Sequence, residues 1–171
     1  VDAAAAAFQR DGNLSGISTK LVDLNRKMGG LNNSDLIILA GRPSMGKTSL
    51  ATNIAFNIAT AYKSGEKPDG TVGAVEGGVV GFFSLEMSAE QLAARILSEA
   101  SEVGSHNIRS GDMTEEEFRR FVQAANDLQS CPLYIDDTPA LPINQLAARA
   151  RKLKRTHGLD LIIVDYLQLL K

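Results

Sequence analysis

Continuous apolar runs alternate along this chain with stretches in which apolar positions recur every three or four residues. "DLIILA" at 35–40 is one such run, the pattern of a strand buried on both faces of a parallel sheet. Ile54, Ala55, Ile58 and Ala59 follow at helical spacing and predict a helix from about Thr48 to Tyr62. "VVGFFSL" predicts a second strand ending near Glu86. Ser88 with Gln91 is a capping-box pattern, opening a helix whose apolar face is Leu92, Ile96 and Leu97. Thr114 with Glu117 repeats the pattern before a helix through Phe118, Phe121 and Leu128. "PLYID" is a short third strand; Ile143, Leu146, Ala147, Ala150 and Leu153 mark a helix ending near Gly158; "LDLIIVD" is a fourth strand. Strands alternating with helices specify an α/β fold with a mostly parallel sheet.

Three segments lack a clear period. The opening "VDAAAAAFQR" predicts a short helix that runs out in the turn-rich linker "RDGNLSG" at 10–16. "GISTKLVDLNRKMGGL" carries only scattered apolar positions. "KSGEKPDGTVGAVEGGV" at 63–79 is rich in Gly and reads as a flexible loop or insertion. No repeats are visible.

Composition narrows the picture. A chain of 171 residues with 44% hydrophobic content supports one domain with a core. No apolar run approaches the ~18 residues of a membrane span. The N-terminus has neither a signal-peptide pattern nor a Met, so the chain reads as a piece of something longer. The single Cys131 excludes an internal disulfide framework and makes a reducing cytoplasm the expected compartment. With a net charge of −2, any contact with DNA or RNA must come from a few local groups.

The candidate chemistry begins after the first strand. "GRPSMGKTSL" fits G-x-x-x-x-G-K-[ST], with Gly41, Gly46, Lys47 and Thr48 at the required positions. Gly41 and Gly46 permit backbone angles closed to other residues, so successive N–H groups can face phosphate oxygens. The following helix adds the positive end of its dipole. Lys47 can reach β- and γ-phosphates, and the Thr48 hydroxyl can bind Mg²⁺. The segment Gly41, Arg42, Pro43, Ser44, Met45, Gly46, Lys47, Thr48 and Ser49 is therefore expected to bind a nucleoside triphosphate. Met45 has no evident chemical task, and Arg42 could approach the nucleotide or serve backbone packing.

Hydrolysis further needs a carboxylate near the metal and a group that orients water. "LIIVD" delivers Asp165 to the C-terminal edge of a buried strand, where ligands of α/β sheets collect. Asp136 is the second candidate, although Asp136 and Asp137 also fit strand termination and a turn cap. Glu86, after "FFSL", is the candidate for water; a plain acid at a helix N-terminus fits it equally.

Three motifs now stand in order: "GRPSMGKTS", "FFSLEMS" and "LIIVDYLQL". Together with "ARILSEAS" and the stretch through "LKRTHGLDLIIVDYLQLL", they resemble the ATPase domain of the bacterial replicative hexameric DNA helicases, the DnaB family, from about Gly16 to Lys171. The resemblance implies a P-loop NTPase fold with a RecA-like, mostly parallel sheet flanked by helices. It implies a linker tail at 1–17, an ATPase domain at 18–171 and a Gly-rich insertion about 64–78. It implies that Lys47 and Thr48 hold phosphates and Mg²⁺, that Asp165 is the Walker B carboxylate and that Glu86 polarises the attacking water. It implies ATP as substrate, Mg²⁺ as cofactor, identical subunits in a hexameric ring, single-stranded DNA as track, and primase and helicase loader as partners. Lys20 stands where the family usually has Gly. The sequence stops after the Walker B strand, so the family's sensor strand, DNA loops and arginine finger lie beyond it, and the sheet is incomplete at the C-terminus. That later strand usually inserts between the Walker B and phosphate-loop strands.

Two rival readings stand beside the motor: a RecA-like recombinase or clock ATPase, and a module that holds nucleotide or a neighbouring subunit without turnover. Arg149, Arg151, Lys152, Lys154 and Arg155 form the densest basic cluster, open to two readings, a DNA-contacting stripe and a solvated face opposite Ile143, Leu146 and Leu153, of which the solvated face is expected. His106 and His157 lack partner spacing for a metal or triad and read as structural.

Overall fold

A computed structural model of the chain describes residues 14–67 and 70–170; the expected N-terminal helix lies outside them. The elements in order are α1 (Val22–Met28), α2 (Lys47–Thr60), β1 (Lys63–Glu66), β2 (Val72–Glu76), β3 (Val80–Ser84), α3 (Ala89–Ser101), α4 (Ser105–Ser110), α5 (Glu115–Ser130), β4 (Leu133–Asp136), α6 (Ile143–His157) and β5 (Leu161–Asp165). A short 3₁₀ turn at Leu167–Leu169 follows.

The central sheet has the order β4-β3-β5, and all its pairings are parallel. Every residue of β3 is buried, as its unbroken apolar run requires for a middle strand covered on both faces. Its side chains alternate between two cores. Val80 and Phe82 join Ala55, Ile58 and Ala59 of α2 and Leu92 of α3. Phe83 and Leu85 join Leu141, Leu159 and the α6 residues Leu146 and Ala150. The result is three layers, with α2 and α3 on one side and α6 on the other. Burying side chains such as Phe82, Ile58 and Leu92 contributes about 1.5–3 kcal/mol each.

Both capping boxes form. Ser88 Oγ accepts from Gln91 N while the Gln91 side chain accepts from Ser88 N, and Thr114 with Glu117 repeats the exchange. Those exchanges satisfy N–H groups that a helix start leaves without partners. α6 begins at Ile143 as expected, but Ile143 is 57% exposed, and Leu146 and Ala150 provide its buried face.

Two expectations are corrected. Residues 63–79 are not a featureless loop: β1 and β2 pair antiparallel, with a bulge between Lys63 and Ser64. Backbone pairing and the turn bonds Lys67 N to Thr71 O and Gly70 N to Lys67 O hold this hairpin, so it needs no apolar period. Gly77 then leads into β3 at φ 61°, where a Cβ would lie 2.4 Å from the Ile58 carbonyl oxygen; only glycine fits there.

The second correction concerns "DLIILA". Residues 35–40 form no ladder, and Leu36 and Ile38 are 87% and 77% exposed. An apolar run becomes a buried strand only when neighbours take its backbone groups and cover its faces. Among the described residues none pairs with it, and β5 likewise pairs only on its β3 side. Helices α1 and α4, short and weakly periodic, had no sequence signal strong enough to read. Residues 15–17, assigned to the linker, fold back on the domain: Ile17 bridges Leu31, and the Ser15 and Gly16 amides donate to Gly29 O.

Candidate nucleotide-binding site

The glycine loop leads directly into α2. Gly46 is the helix N-cap at φ 83°, a left-handed turn in which an added Cβ would meet no atom within 4 Å, so conformation alone demands glycine. Gly41 does not share that role. The other left-handed residue of the loop is Ser44, at φ 62°, and a Cβ at Gly41 would make ordinary contact with Lys47 Cγ at 3.6 Å. The loop residues 41–46 are exposed, and the N-terminal amides of the fourteen-residue helix α2 open beside them.

Lys47 folds its ammonium over its own loop, donating to Gly41 O at 3.0 Å and Arg42 O at 3.1 Å. Thr48 points inward, and its hydroxyl donates to Asp165 Oδ2 at 2.7 Å across 117 positions of sequence. Asp165 ends β5 and is 9% exposed. Thr52, one turn along α2, returns its hydroxyl to the carbonyls of Thr48 and Ser49, anchoring the first turn. Arg42, Pro43 and Met45 are exposed, Met45 by 71%, and Ser49 is half-buried at the start of α2.

The register brings the third candidate to the same edge. Ser84 lies opposite Asp165, and Leu85 N donates to Asp165 O, so Glu86 stands one residue beyond that junction. Ser84 Oγ donates to Met87 O at 2.6 Å and accepts from Met87 N at 3.2 Å, closing the turn that carries Glu86. The Glu86 carboxylate is exposed and makes no hydrogen bond or ion pair among the described residues.

Asp136 is used elsewhere. Arg149 Nη1 donates to Asp136 Oδ1 and Oδ2 at 2.9 and 2.6 Å, and Asp136 Oδ1 also accepts from Thr138 N. Partial burial pushes the Asp136 carboxyl up, but Arg149 and Thr138 outweigh it and hold the group below its ordinary value. Asp137 Oδ2 accepts from Ala89 N and so caps α3. Both aspartates have the structural roles their turn context suggested, and Arg149 is drawn out of the solvated basic face. His157 stacks on Tyr134 at 4.8 Å between ring centroids. Ser84 is the residue sequence reasoning missed, although its place two before Glu86, at a strand end, is a turn signal.

Hard oxygen donors, the Thr48 hydroxyl and the buried Asp165 carboxylate, meet at the mouth of the loop, which is a donor set suited to Mg²⁺. Among the described residues no three His, Cys, Asp or Glu side chains converge as a metal cage. Mg²⁺ ordinarily takes one or two protein oxygens plus substrate phosphates, so the pair fits that ion.

The model of the family described as DnaB-like helicase C terminal domain matches residues 16–171. The chain belongs to that family. Over 165 residues it is 47% identical to the replicative DNA helicase DnaB of Rickettsia conorii (strain ATCC VR-613 / Malish 7), covering 96% of this chain and 33% of the relative. It is 41% identical over 162 residues to the replicative DNA helicase DnaB of Geobacillus stearothermophilus, covering 95% and 33%. The chain thus spans about a third of the length of these relatives. Its fold is similar to a solved structure described as an ATPase domain, with a TM-score of 0.82 at 25% identity over 99% of this chain and 56% of that one. It is also similar to a DnaB-like replicative helicase described with its interactions with primase, with a TM-score of 0.81 at 25% identity over 99% and 39%. The RecA-like α/β architecture expected of a family member is therefore that of this chain. No described helix is long and apolar enough to cross a membrane.

Proposed function

We propose that this domain binds MgATP in the 41–49 loop and, within a longer helicase subunit, hydrolyses it to drive movement on single-stranded DNA. The observation that carries the reading is the Thr48–Asp165 hydrogen bond, which puts the glycine loop and the end of β5 within reach of one ligand. The loop amides and the N-terminus of α2 receive the phosphates. Lys47 exchanges its loop carbonyls for the β- and γ-phosphate oxygens, a stronger charge-assisted contact. Thr48 and Asp165 would hold Mg²⁺, and the bound ion would supply neutralisation of charge on the phosphoryl oxygens. Glu86, without a partner among the described residues, accepts a hydrogen bond from the attacking water and turns its lone pair toward the γ-phosphate.

Hydrolysis couples to duplex unwinding in a ring of six identical subunits in the cytoplasm, with primase and a helicase loader as partners. Family membership and the relatives' identity as replicative helicases support this reading. A second reading, a domain that holds nucleotide without turnover, is favoured by the exposed run 36–39 just before the loop, which pairs with no strand among the described residues.

The two are separated by measuring binding of a fluorescent ATP analogue and ATP turnover, with and without single-stranded DNA, in this chain and in a form extended past Lys171. Lys47→Ala is expected to abolish binding, and Glu86→Gln to spare binding and stop turnover. Turnover in the extended form that DNA fails to stimulate would sink the motor reading, and turnover retained by Glu86→Gln would remove Glu86 from its role.

A further inference from the structure

With no side-chain partner of its own among the described residues, Glu86 is placed by the backbone on either side of it. Its two neighbours are drawn into opposite cores. Leu85, 5% exposed, packs with Phe83, Leu141 and Leu146 on the α6 side of the sheet. Met87 packs against the other core, formed by α2, β3 and α3. Glu86 stands between them, exposed at the tip of β3, while the Leu85 amide donates to Asp165 O at 2.8 Å.

Polar contacts close the turn at both ends. At the strand end, the Ser84 hydroxyl, on a residue 1% exposed, donates to Met87 O at 2.6 Å and accepts from Met87 N at 3.2 Å. One buried oxygen thus takes both backbone groups of the residue after Glu86. At the helix end, Asp137, which follows β4, accepts from Ala89 N at 2.9 Å, beside the Ser88–Gln91 capping box. The turn that carries Glu86 is therefore tied to β3 by Ser84 and to the end of the neighbouring strand by Asp137.

We infer that Ser84 is a positioning residue for the Glu86 carboxylate, with Asp137 as its weaker counterpart at the start of α3; the inference rests on the water-orienting role given to Glu86 above. A carboxylate that orients water must stand within about 2.6–3.2 Å of it, and a displacement of about 1 Å can cost on the order of a hundredfold in rate. Removing the Ser84 hydroxyl leaves the Met87 N–H and C=O without that partner, and a backbone in that state relaxes to find others. Since Glu86 is held by main chain alone, the relaxation reaches its carboxylate undamped. Asp137 is exposed, so water can replace much of its cap and its effect is the smaller one. Neither residue is given contact with nucleotide, so both act on turnover through Glu86 and leave binding to the 41–49 loop.

The test follows single-turnover and steady-state ATP hydrolysis in the form extended past Lys171, with the affinity of a fluorescent ATP analogue measured beside it. Ser84→Ala is expected to lower kcat about tenfold to a hundredfold while KM and analogue affinity stay within about twofold. Ser84→Thr, which keeps the hydroxyl, should restore most of the rate. Asp137→Ala should lower kcat by a smaller factor, and Asp137→Asn, whose amide oxygen still accepts from Ala89 N, should restore it. In a Glu86→Gln background, Ser84→Ala should change the residual rate by less than about twofold, because the carboxylate to be placed is gone. A readout without nucleotide comes from hydrogen exchange in the chain itself: Ser84→Ala should speed exchange of the Met87 amide about tenfold or more while the interior amides of α3 keep their protection. Circular dichroism checks folding, and Ser84→Cys, a weak donor of similar size, repeats the test should the alanine variant unfold. An unchanged kcat in Ser84→Ala, a parallel loss of rate and affinity, an equal fractional loss in the Glu86→Gln background, or unmoved Met87 exchange would each overturn the inference. Turnover retained by Glu86→Gln itself would instead remove the role of Glu86 and this inference with it, so the two failures are told apart.

Discussion

Replacing Thr48 with Val keeps the shape of the side chain and removes the one side-chain donor to Asp165 Oδ2 among the described residues, a bond of 2.7 Å. Asp165 is 9% exposed, so water cannot fully take the hydroxyl's place. A hydrogen bond to a charged group contributes about 1.5–3 kcal/mol, and a buried acceptor left alone costs a similar amount. The expected loss is therefore about 2 kcal/mol, against a total stability on the order of 5–15 kcal/mol. Urea unfolding followed by far-UV circular dichroism measures it, with the midpoint falling and the slope m unchanged. The same change made in an Asp165→Asn background should cost about 1 kcal/mol less, because the amide is neutral and its desolvation is cheaper. Ligand binding supplies an independent reading: Thr48→Val should weaken MgATP while leaving metal-free ATP nearly unchanged. A Thr48→Val loss within about 0.5 kcal/mol, or strict additivity with Asp165→Asn, would refute the coupling of loop and strand on which the site is built.

Three further outcomes follow from the packing. Phe82→Ala, at the centre of β3 with 1% exposure, should cost about 3–5 kcal/mol in the same unfolding assay, and a loss below about 1 kcal/mol would mean that the α2–sheet core is not tightly packed. Arg149→Met removes the stronger of the two partners that hold Asp136 below its ordinary value of 3.8, a contribution present above that value and lost as pH falls through the lower folded one. The variant should be less stable than the wild type at neutral pH, by up to about 1 kcal/mol for so exposed a pair, with the curves converging in acid; a gap that widens in acid has the wrong sign. Leu36→Lys with Ile38→Lys, at sites 87% and 77% exposed, should reduce concentration-dependent self-association in sedimentation velocity, whereas an unchanged profile would show that these apolar side chains do not drive contact between copies.

Local signals were read directly from the chain. The two capping boxes, the buried run of β3 and the helical periods of α2, α3 and α5 depend on neighbours within a few positions, and each element formed where its pattern lay. Asp136 and Asp137 likewise followed their turn context. Elements whose partners are distant escaped that reading. "LIILA" has the composition of a buried strand, but a strand is defined by the backbone beside it, and no described segment pairs there. The hairpin at 63–76 has the opposite character, weak in composition and held by its own ladder.

Lys47 and Thr48 were legible in the sequence alone, because motif spacing around a glycine turn is itself a local geometry, whereas Asp165 and Glu86 stood there as candidates at strand ends whose roles came from the family resemblance. What only the tertiary structure decided is which of them meet. Parallel pairing of β3 with β5 sets Ser84 opposite Asp165, and packing of α2 on the sheet brings Thr48 to the same carboxylate from 117 positions away. The same holds for the cations of α6: residue order cannot distinguish Arg149 from Arg151, whereas the fold gives one an aspartate and leaves the other to solvent. Charge is a property of the residue, but its partner is a property of the fold, since ion pairing depends on distances that the chain's order does not contain.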